Sequence, residues 1–430
     1  MLFQSLRSVR RSGYAMACLL AIASAHVRAD ETLTLPQAIA RVAASYPELR
    51  LVDARLATLD AERAQAALKP AWAIGAQIEN ALGSGSASGF KEAELTLSLA
   101  SMLEGSGKLD ARRTLAQARY DAQAVQRETT RLDMLAEVAR RYLAVVGTDR
   151  SIELAALDVA QRKRAVDAAR FRYTAGAAPE SVLLTAQAAL ARAELRHERI
   201  AQQCIGARLH LAALWGERQP AFAISGDALQ LPAIGDIDTL ATLLASSPEL
   251  AQFADEQRIR EARVQLAQSA QHGDLEWQVG VRRLQAPGDV AFVGGLSLPL
   301  GARARAQPEI RAAQADLAAL QIEREAKDMA LYSTLAEAQG RYSVDRNEVM
   351  RLASDVLPRL ARAEQAAERA YRGGAISYLE WSQLQAEQTA TRQQQLDTAL
   401  DAQRALIEIQ RLTGQPWVLS TDASPAGAAR

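Results

Sequence analysis

The sequence predicts a mainly α protein with a small β part, built as two structural repeats, each a β-hairpin plus long coiled-coil helices. Three observations carry this. Two matching glycine turns, Tyr173-Thr174-Ala175-Gly176 and Tyr371-Arg372-Gly373-Gly374, punctuate long alanine-rich segments, and their tyrosines and glycines are both 198 residues apart. Glycine at such a point ends one helix and lets the chain turn into the next. Four short segments alternate apolar and polar residues with period two, as half-buried strands do. Long proline-poor runs carry apolar residues at spacings of three and four, the seam of a coiled coil. Only 5% of residues are aromatic, which suits long helices packed through small side chains. Fifty basic residues balance fifty acidic ones, so a general attraction to nucleic acid has no support.

Taken in order, residues 1–29 read as a secretory signal peptide. Arg7, Arg10 and Arg11 precede the apolar run Ala15–Ala23, and small-residue cleavage sites follow at Ala23-Ser24-Ala25 and Val27-Arg28-Ala29. Most of the run lies after Cys18, which argues against Cys18 as a lipidated residue. Cleavage would leave Cys204 as the single cysteine, so no disulfide within the chain is expected.

The first repeat is expected over 30–216. Pro36 opens a short helix and Tyr46-Pro47-Glu48-Leu49 breaks it; Ser247-Pro248-Glu249-Leu250 repeats that break 201 residues later. Strands follow at about 72–82 and 92–100, joined by the Gly/Ser-rich loop Gly83–Gly89. From Ser106 to about Tyr173 no proline intervenes. Ala118, Ala122, Val125, Thr129, Leu132, Ala136, Ala139, Leu143 and Val146 form one heptad seam there. Leu135, Val138, Tyr142 and Val145 form a second beside it, which calls for helical neighbours on both sides. A Pro-, Gly- and Asp-containing linker over 217–238 leads to the second repeat, 239–416. Its strands are expected at about 275–285 and 290–300, and Trp277 opens its hairpin 205 residues after Trp72. Pro358 should kink the second long helix, because it lacks an N–H. A disordered tail, 417–430, is expected to end the chain.

Exported hairpins with one apolar and one polar face have two readings: a small surface sheet on a helical protein, or strands of a transmembrane β-barrel. Segments of about ten residues are long enough to cross a bilayer at a tilt. Trp72 and Trp277 would then form part of an aromatic girdle at the membrane interface. Four strands cannot close a barrel, and open edges are not tolerated in lipid, so a barrel would need several chains.

The chain resembles the TolC-like outer membrane efflux channels. The resemblance rests on the two Tyr-x-x-Gly turns, the strand ending Leu296-Ser297-Leu298-Pro299-Leu300, and the helix ends Leu214-Trp215-Gly216 and Leu412-Thr413-Gly414. It implies a homotrimer whose twelve strands make a transmembrane barrel, continued by an α-helical tunnel through the periplasm. It also implies a periplasmic adaptor (membrane fusion) protein and an inner-membrane pump as partners, with outer-membrane lipid around the barrel. Leu103-Glu104-Gly105-Ser106-Gly107-Lys108 and Pro299-Leu300-Gly301-Ala302-Arg303-Ala304-Arg305-Ala306 resemble the heavy-metal branch, the CzcC-type channels that serve pumps of the resistance-nodulation-division (RND) type.

By the same resemblance, Tyr173, Gly176, Tyr371 and Gly374 frame the periplasmic tips, and Glu380 and Gln383 fall six and nine positions after the second tip glycine, where family members carry gate acids. The first-half acid that would latch to a tip tyrosine falls on Val182 here. A ring of Glu380 side chains would favour cations; the alternative is a carboxylate that is simply solvated on a helix. His197, His210 and His272 lack the spacing of metal ligands, so no resident metal is expected. No catalytic grouping or nucleotide-binding loop stands out, so neither an enzyme nor a cofactor is expected. The leading reading is a passive outer-membrane exit duct for heavy-metal cations. The same duct for drugs, dyes or a secreted polypeptide is one alternative, and a soluble periplasmic coiled-coil adaptor is another.

Overall fold

The computed structural model describes residues 31–105 and 107–417, so the predicted signal peptide, Ser106 and residues 418–430 of the tail lie outside the described residues. The two halves run through the same order of elements. In the first, helices α1 (Leu35–Ser45) and α2 (Pro47–Ala66) precede strands β2 (Ala73–Glu79) and β3 (Glu94–Leu103). Then come α3 (Lys108–Asp121), α4 (Gln123–Thr174) and the returning α5 (Glu180–Ala212). In the second, α6 (Ile237–Ala245) and α7 (Pro248–Ser269) precede β5 (Leu275–Leu284) and β6 (Val290–Ser297). These lead into α8 (Ala302–Arg351), α9 (Leu357–Arg372) and α10 (Tyr378–Thr413).

Local chemistry accounts for the helix ends. Thr34 caps α1 in a box with Gln37, the Thr34 N–H donating to Gln37 Oε1 at 2.8 Å. Pro47 and Pro248 occupy the first turns of α2 and α7, where a missing N–H costs nothing. The first long run is not one uninterrupted helix. It divides at Ala122, whose backbone stays right-handed (φ −62°, ψ −19°) and whose N–H still donates to the Ala118 carbonyl at 3.1 Å. In the second, the residue before Pro358 opens α9 directly after a wide π-turn, Leu352–Val356, which absorbs the carbonyl that proline cannot bond. A second proline, Pro308, sits inside α8 and was not part of the sequence expectation.

The two hairpins join into one antiparallel sheet in the order β2-β3-β5-β6. The joining pair is β3 with β5, in the register Leu97↔Val281 and Leu99↔Val279. A second, two-stranded parallel sheet pairs β1 (Glu31–Leu33) with β4 (Phe222–Ile224). The stretch between the halves therefore folds back on the chain's beginning, and α6 starts within it at Ile237.

The helices form a wall. In one part α2, α3, α7 and α8 pack in sequence; in the other α5 packs on α4, α4 on α10, and α10 on α8 and α9. Both seams of α4 are used: Leu132, Ala136, Ala139 and Leu143 are buried, and so are Leu135, Val138, Tyr142 and Val145. The upstream members Ala118, Ala122, Val125 and Thr129 are half-buried. Gly147 lets α10 approach α4 closely, since a Cβ there would lie 2.9 Å from Leu400 Cδ1.

Two matched cores bind the wall at its middle. Leu33, Leu35, Ala38 and Val42 pack on α4, and Leu240 and Leu244 pack on α8 and α10. A tyrosine fastens each. The Tyr142 hydroxyl donates to the Ser225 carbonyl, with the Leu33 carbonyl also at 2.9 Å, and the Tyr342 hydroxyl donates to the Pro232 carbonyl. These tyrosines are 200 residues apart, so the repeat extends to the clasp holding the interhelical segment.

Candidate functional site

The sheet separates its side chains cleanly. Reading the register across the four strands, Ile74, Leu99, Val279 and Gly294 form one row, and Ala76, Leu97, Val281 and Phe292 the next. These rows belong to one face, and it is bare: Ile74 is 86% exposed, Phe292 92% and Leu296 77%. An apolar face this extensive marks a surface made for lipid or another protein. The opposite face carries Gln77, Glu79, Glu94, Thr96, Gln278 and Arg282. Trp72 and Trp277 meet edge to face, with ring centroids 5.6 Å apart, at the end of the sheet next to the helices.

That end is locked to the helices. Asp274 accepts from Lys108 Nζ at 2.6 Å and from the Gly105 N–H at 2.9 Å, and Arg112 grips both oxygens of Glu104. At the far end of the wall lie the two glycine turns. Gly176 (φ +68°) and Gly374 (φ +81°) both adopt the left-handed conformation, open to glycine without strain.

The two tip tyrosines stand in different surroundings. Tyr173 is 41% exposed, whereas Tyr371 is buried in an aromatic cluster, its ring stacked on Trp381 at 5.1 Å and 6.0 Å from Tyr378. Arg172, the residue before Tyr173, crosses between the turns. Its guanidinium lies 5.0 Å from the Tyr371 ring centre, and Nη1 donates to the Tyr371 carbonyl at 2.5 Å. Val182 packs against this cluster, at the position where a latching acid would fall. Burial pushes the Tyr371 hydroxyl's pKa up, against the pull of Arg172, and the hydroxyl has no hydrogen-bond partner among the described residues.

Glu380 serves a local role. Its Oε2 accepts from the Ser377 N–H at 2.8 Å and the Ser377 hydroxyl at 2.9 Å, closing a capping box at the start of α10. Those two bonds, the backbone one foremost, hold its carboxyl below the ordinary range. Gln383, one turn further, is exposed and lines a groove of about 1050 Å³ walled by α5 and α10 and floored by Asp158 and Arg162 of α4. Below it the α4–α10 contact is polar, with Gln161 Nε2 donating to Gln388 Oε1 at 2.8 Å, and between α9 and α10 Trp381 Nε1 donates to buried Glu364 at 3.2 Å.

Sequence reasoning missed Arg172, Trp381 and Glu364. Arg172 and Glu364 carry no local signal, because their partners come from other helices. The Ser377–Glu380 box was legible as Ser-x-x-Glu ahead of a helical run. Among the described residues, no three His, Cys, Asp or Glu side chains converge as a metal site requires, and no helix is long and apolar enough to cross a membrane.

A two-faced sheet mounted on a wall of long paired helices has counterparts among known proteins: the model of the outer membrane efflux protein family matches residues 38–217. That family and this fold are those of passive efflux channels, not of enzymes. Among curated proteins it is similar to the cobalt-zinc-cadmium resistance protein CzcC of Cupriavidus metallidurans, 29% identical over 282 residues, covering 65% of this chain and 67% of that one. Solved structures share the fold. CusC superposes with a TM-score of 0.74 at 16% identity, over 88% of this chain and 91% of its own. A membrane protein from Pseudomonas aeruginosa gives 0.73 at 20%, over 89% and 90%. The outer membrane protein VceC of Vibrio cholerae gives 0.71 at 16%, over 88% and 96%.

Proposed function

We propose that this chain is the outer-membrane exit duct of a tripartite efflux system, assembled as a homotrimer and serving heavy-metal cations. The observation that carries the duct is the sheet. One face is mainly apolar and largely exposed, the other mainly polar, and the outer edges of β2 and β6 are unpaired. In lipid, unpaired backbone groups cost several kcal/mol each, so the sheet must be completed by other copies. Three chains of four strands would close a barrel, with the apolar rows toward lipid and the Arg282 face toward water. The helical wall has matching open edges. Exposed apolar residues lie on α5 (Leu195 67%, Ile205 52%) and on α8 (Ile322 69%, Met329 66%, Val344 65%). Edge α5 of one copy against edge α8 of the next gives a head-to-tail ring, which would close a tunnel below the barrel.

The division of the chain follows from this: two repeats, 30–216 and 239–416, each supplying one hairpin and one helical hairpin. Tyr173, Gly176, Tyr371 and Gly374 would sit at the periplasmic tips, beside an adaptor and an inner-membrane RND pump. Glu380 and Gln383 would line the gate, and the Trp72–Trp277 pair would mark the periplasmic-side interface of the outer membrane. Glu380 keeps its charge to low pH, which suits a ring that draws cations. The cargo rests on the similarity to CzcC and on the two heavy-metal-branch segments.

Deleting the gene and challenging the strain with cobalt, zinc, cadmium, nickel, copper and silver salts beside dyes and antibiotics tests this. Selective metal sensitivity, restored by the intact gene, is the expected result. Sensitivity to dyes and antibiotics alone would discard the metal cargo and keep the duct.

A further inference from the structure

Two neighbouring arginines of β5 fall on opposite faces of the sheet. Arg282, on the polar face, is fully engaged: Nε donates to Thr96 Oγ1 at 2.9 Å, and the guanidinium pairs with Glu94 at 2.8 Å and Glu79 at 2.9 Å. Arg283 lies on the apolar face, in register with Leu95 of β3 and Val290 of β6, and Leu95 in turn faces Ile78. It is exposed and has no hydrogen-bond or ion-pair partner among the described residues. Every other residue of the four strands on that face is uncharged.

Its height on the sheet matters as much as its face. The helices join at one end of β5, where Asp274 and Trp277 lie; Arg283 is at the other, beside the turn to β6. It stands six residues beyond Trp277, roughly 20 Å along an extended strand. A cation on the lipid face of a barrel is least costly near the interface, where its long stem can carry the charged head to the headgroups. The sheet itself offers no anion on this face. The strand carboxylates at this height, Glu79 and Glu94, are on the other side and already bound to Arg282, and Asp289 of the β5–β6 turn makes no ion pair with Arg283 among the described residues. Lipid can supply the counter-charge.

We infer that Arg283 is a binding site for a phosphate-bearing lipid of the outer leaflet, one site per chain. This rests on the barrel reading above. The lipid phosphate supplies the paired oxygens that a guanidinium fork recognises, and the row's own Ile78, Leu95 and Val290, with Leu97, Val281 and Phe292 of the next row, supply the bed for its acyl chains.

The test uses the full-length purified protein. It is first partitioned between detergent and water, then titrated with bisphosphorylated lipid A in detergent and followed by native mass spectrometry. Wild type should enter the detergent phase and retain the lipid. Arg283→Leu, which fits the apolar belt, should bind it about fivefold more weakly, the scale of one basic residue at an anionic surface. Arg283→Lys should keep most of the binding, and dephosphorylated lipid A should bind wild type no better than bisphosphorylated lipid A binds Arg283→Leu. Equal binding by wild type and Arg283→Leu, both in detergent, would overturn the site and leave the barrel standing. A chain that stays in water would overturn both.

Discussion

Ser377 holds the Glu380 carboxyl below its ordinary range. The hydroxyl and N–H of Ser377 hold the carboxylate, and the Ser377 hydroxyl also accepts from the Glu380 N–H at 3.3 Å. Because these bonds depress the folded-state pKa, their stabilisation is present above the unfolded value of about 4.3 and is lost as pH falls through the lower folded value. Ser377→Ala should loosen the first turn of α10 by about 1 kcal/mol, read as faster amide exchange confined to residues 378–381. Glu380→Gln tests the gate role separately. Lower cation selectivity in bilayer recordings, with unchanged assembly, would support it, and unchanged selectivity would reduce Glu380 to a cap.

At the scale of elements, the clasp tyrosines hold the segment between the halves against the helices. Burial raises both hydroxyls, and that of Tyr342 to about 12. A raised folded value stabilises fully below the unfolded value of about 10 and is lost as pH rises from there toward 12, because the unfolded chain gives up its proton first. Tyr342→Phe should flatten the loss of stability over that alkaline range. It should also cost about 1 kcal/mol at neutral pH, by leaving the Pro232 carbonyl without its donor. Thermal unfolding at pH 8 and pH 11 would read both effects. Tyr142→Phe should act in the same direction at the other clasp.

The whole molecule is shaped to be incomplete. One chain leaves two sheet edges and two helical edges open, and its sheet bears a contiguous exposed apolar face with Ile74, Leu97, Val281, Phe292 and Leu296. Detergent-solubilised protein should therefore weigh as three chains by light scattering. Replacing Ile322 and Met329 together with aspartate should shift that mass toward single chains or aggregates, because both are exposed on the open α8 edge. An unchanged trimer would move the contact elsewhere.

Much of this was legible along the chain, since periodicity is a local property. Alternation put Ile74, Leu97, Val279 and Phe292 each on the apolar face of its own strand, and heptad spacing marked both seams of α4. Proline at 358 marked the division between α8 and α9, and the glycines marked the two turns between long helices. What local pattern could not supply was partnership across distance. That β3 pairs with β5, that Arg172 reaches the Tyr371 carbonyl 199 residues away, and that β4 returns to β1 depend on contacts between segments far apart in sequence. The same holds for the contrast between Tyr173 and Tyr371. They occupy equivalent places in sequence, yet only Tyr371 is covered by Trp381 and Tyr378. Faces, seams and turns were readable along the chain, because each follows from a residue's own chemistry and its spacing. Which of those faces are covered and which stay bare emerged with the packed helices and paired strands, because burial belongs to the assembled neighbours of a residue.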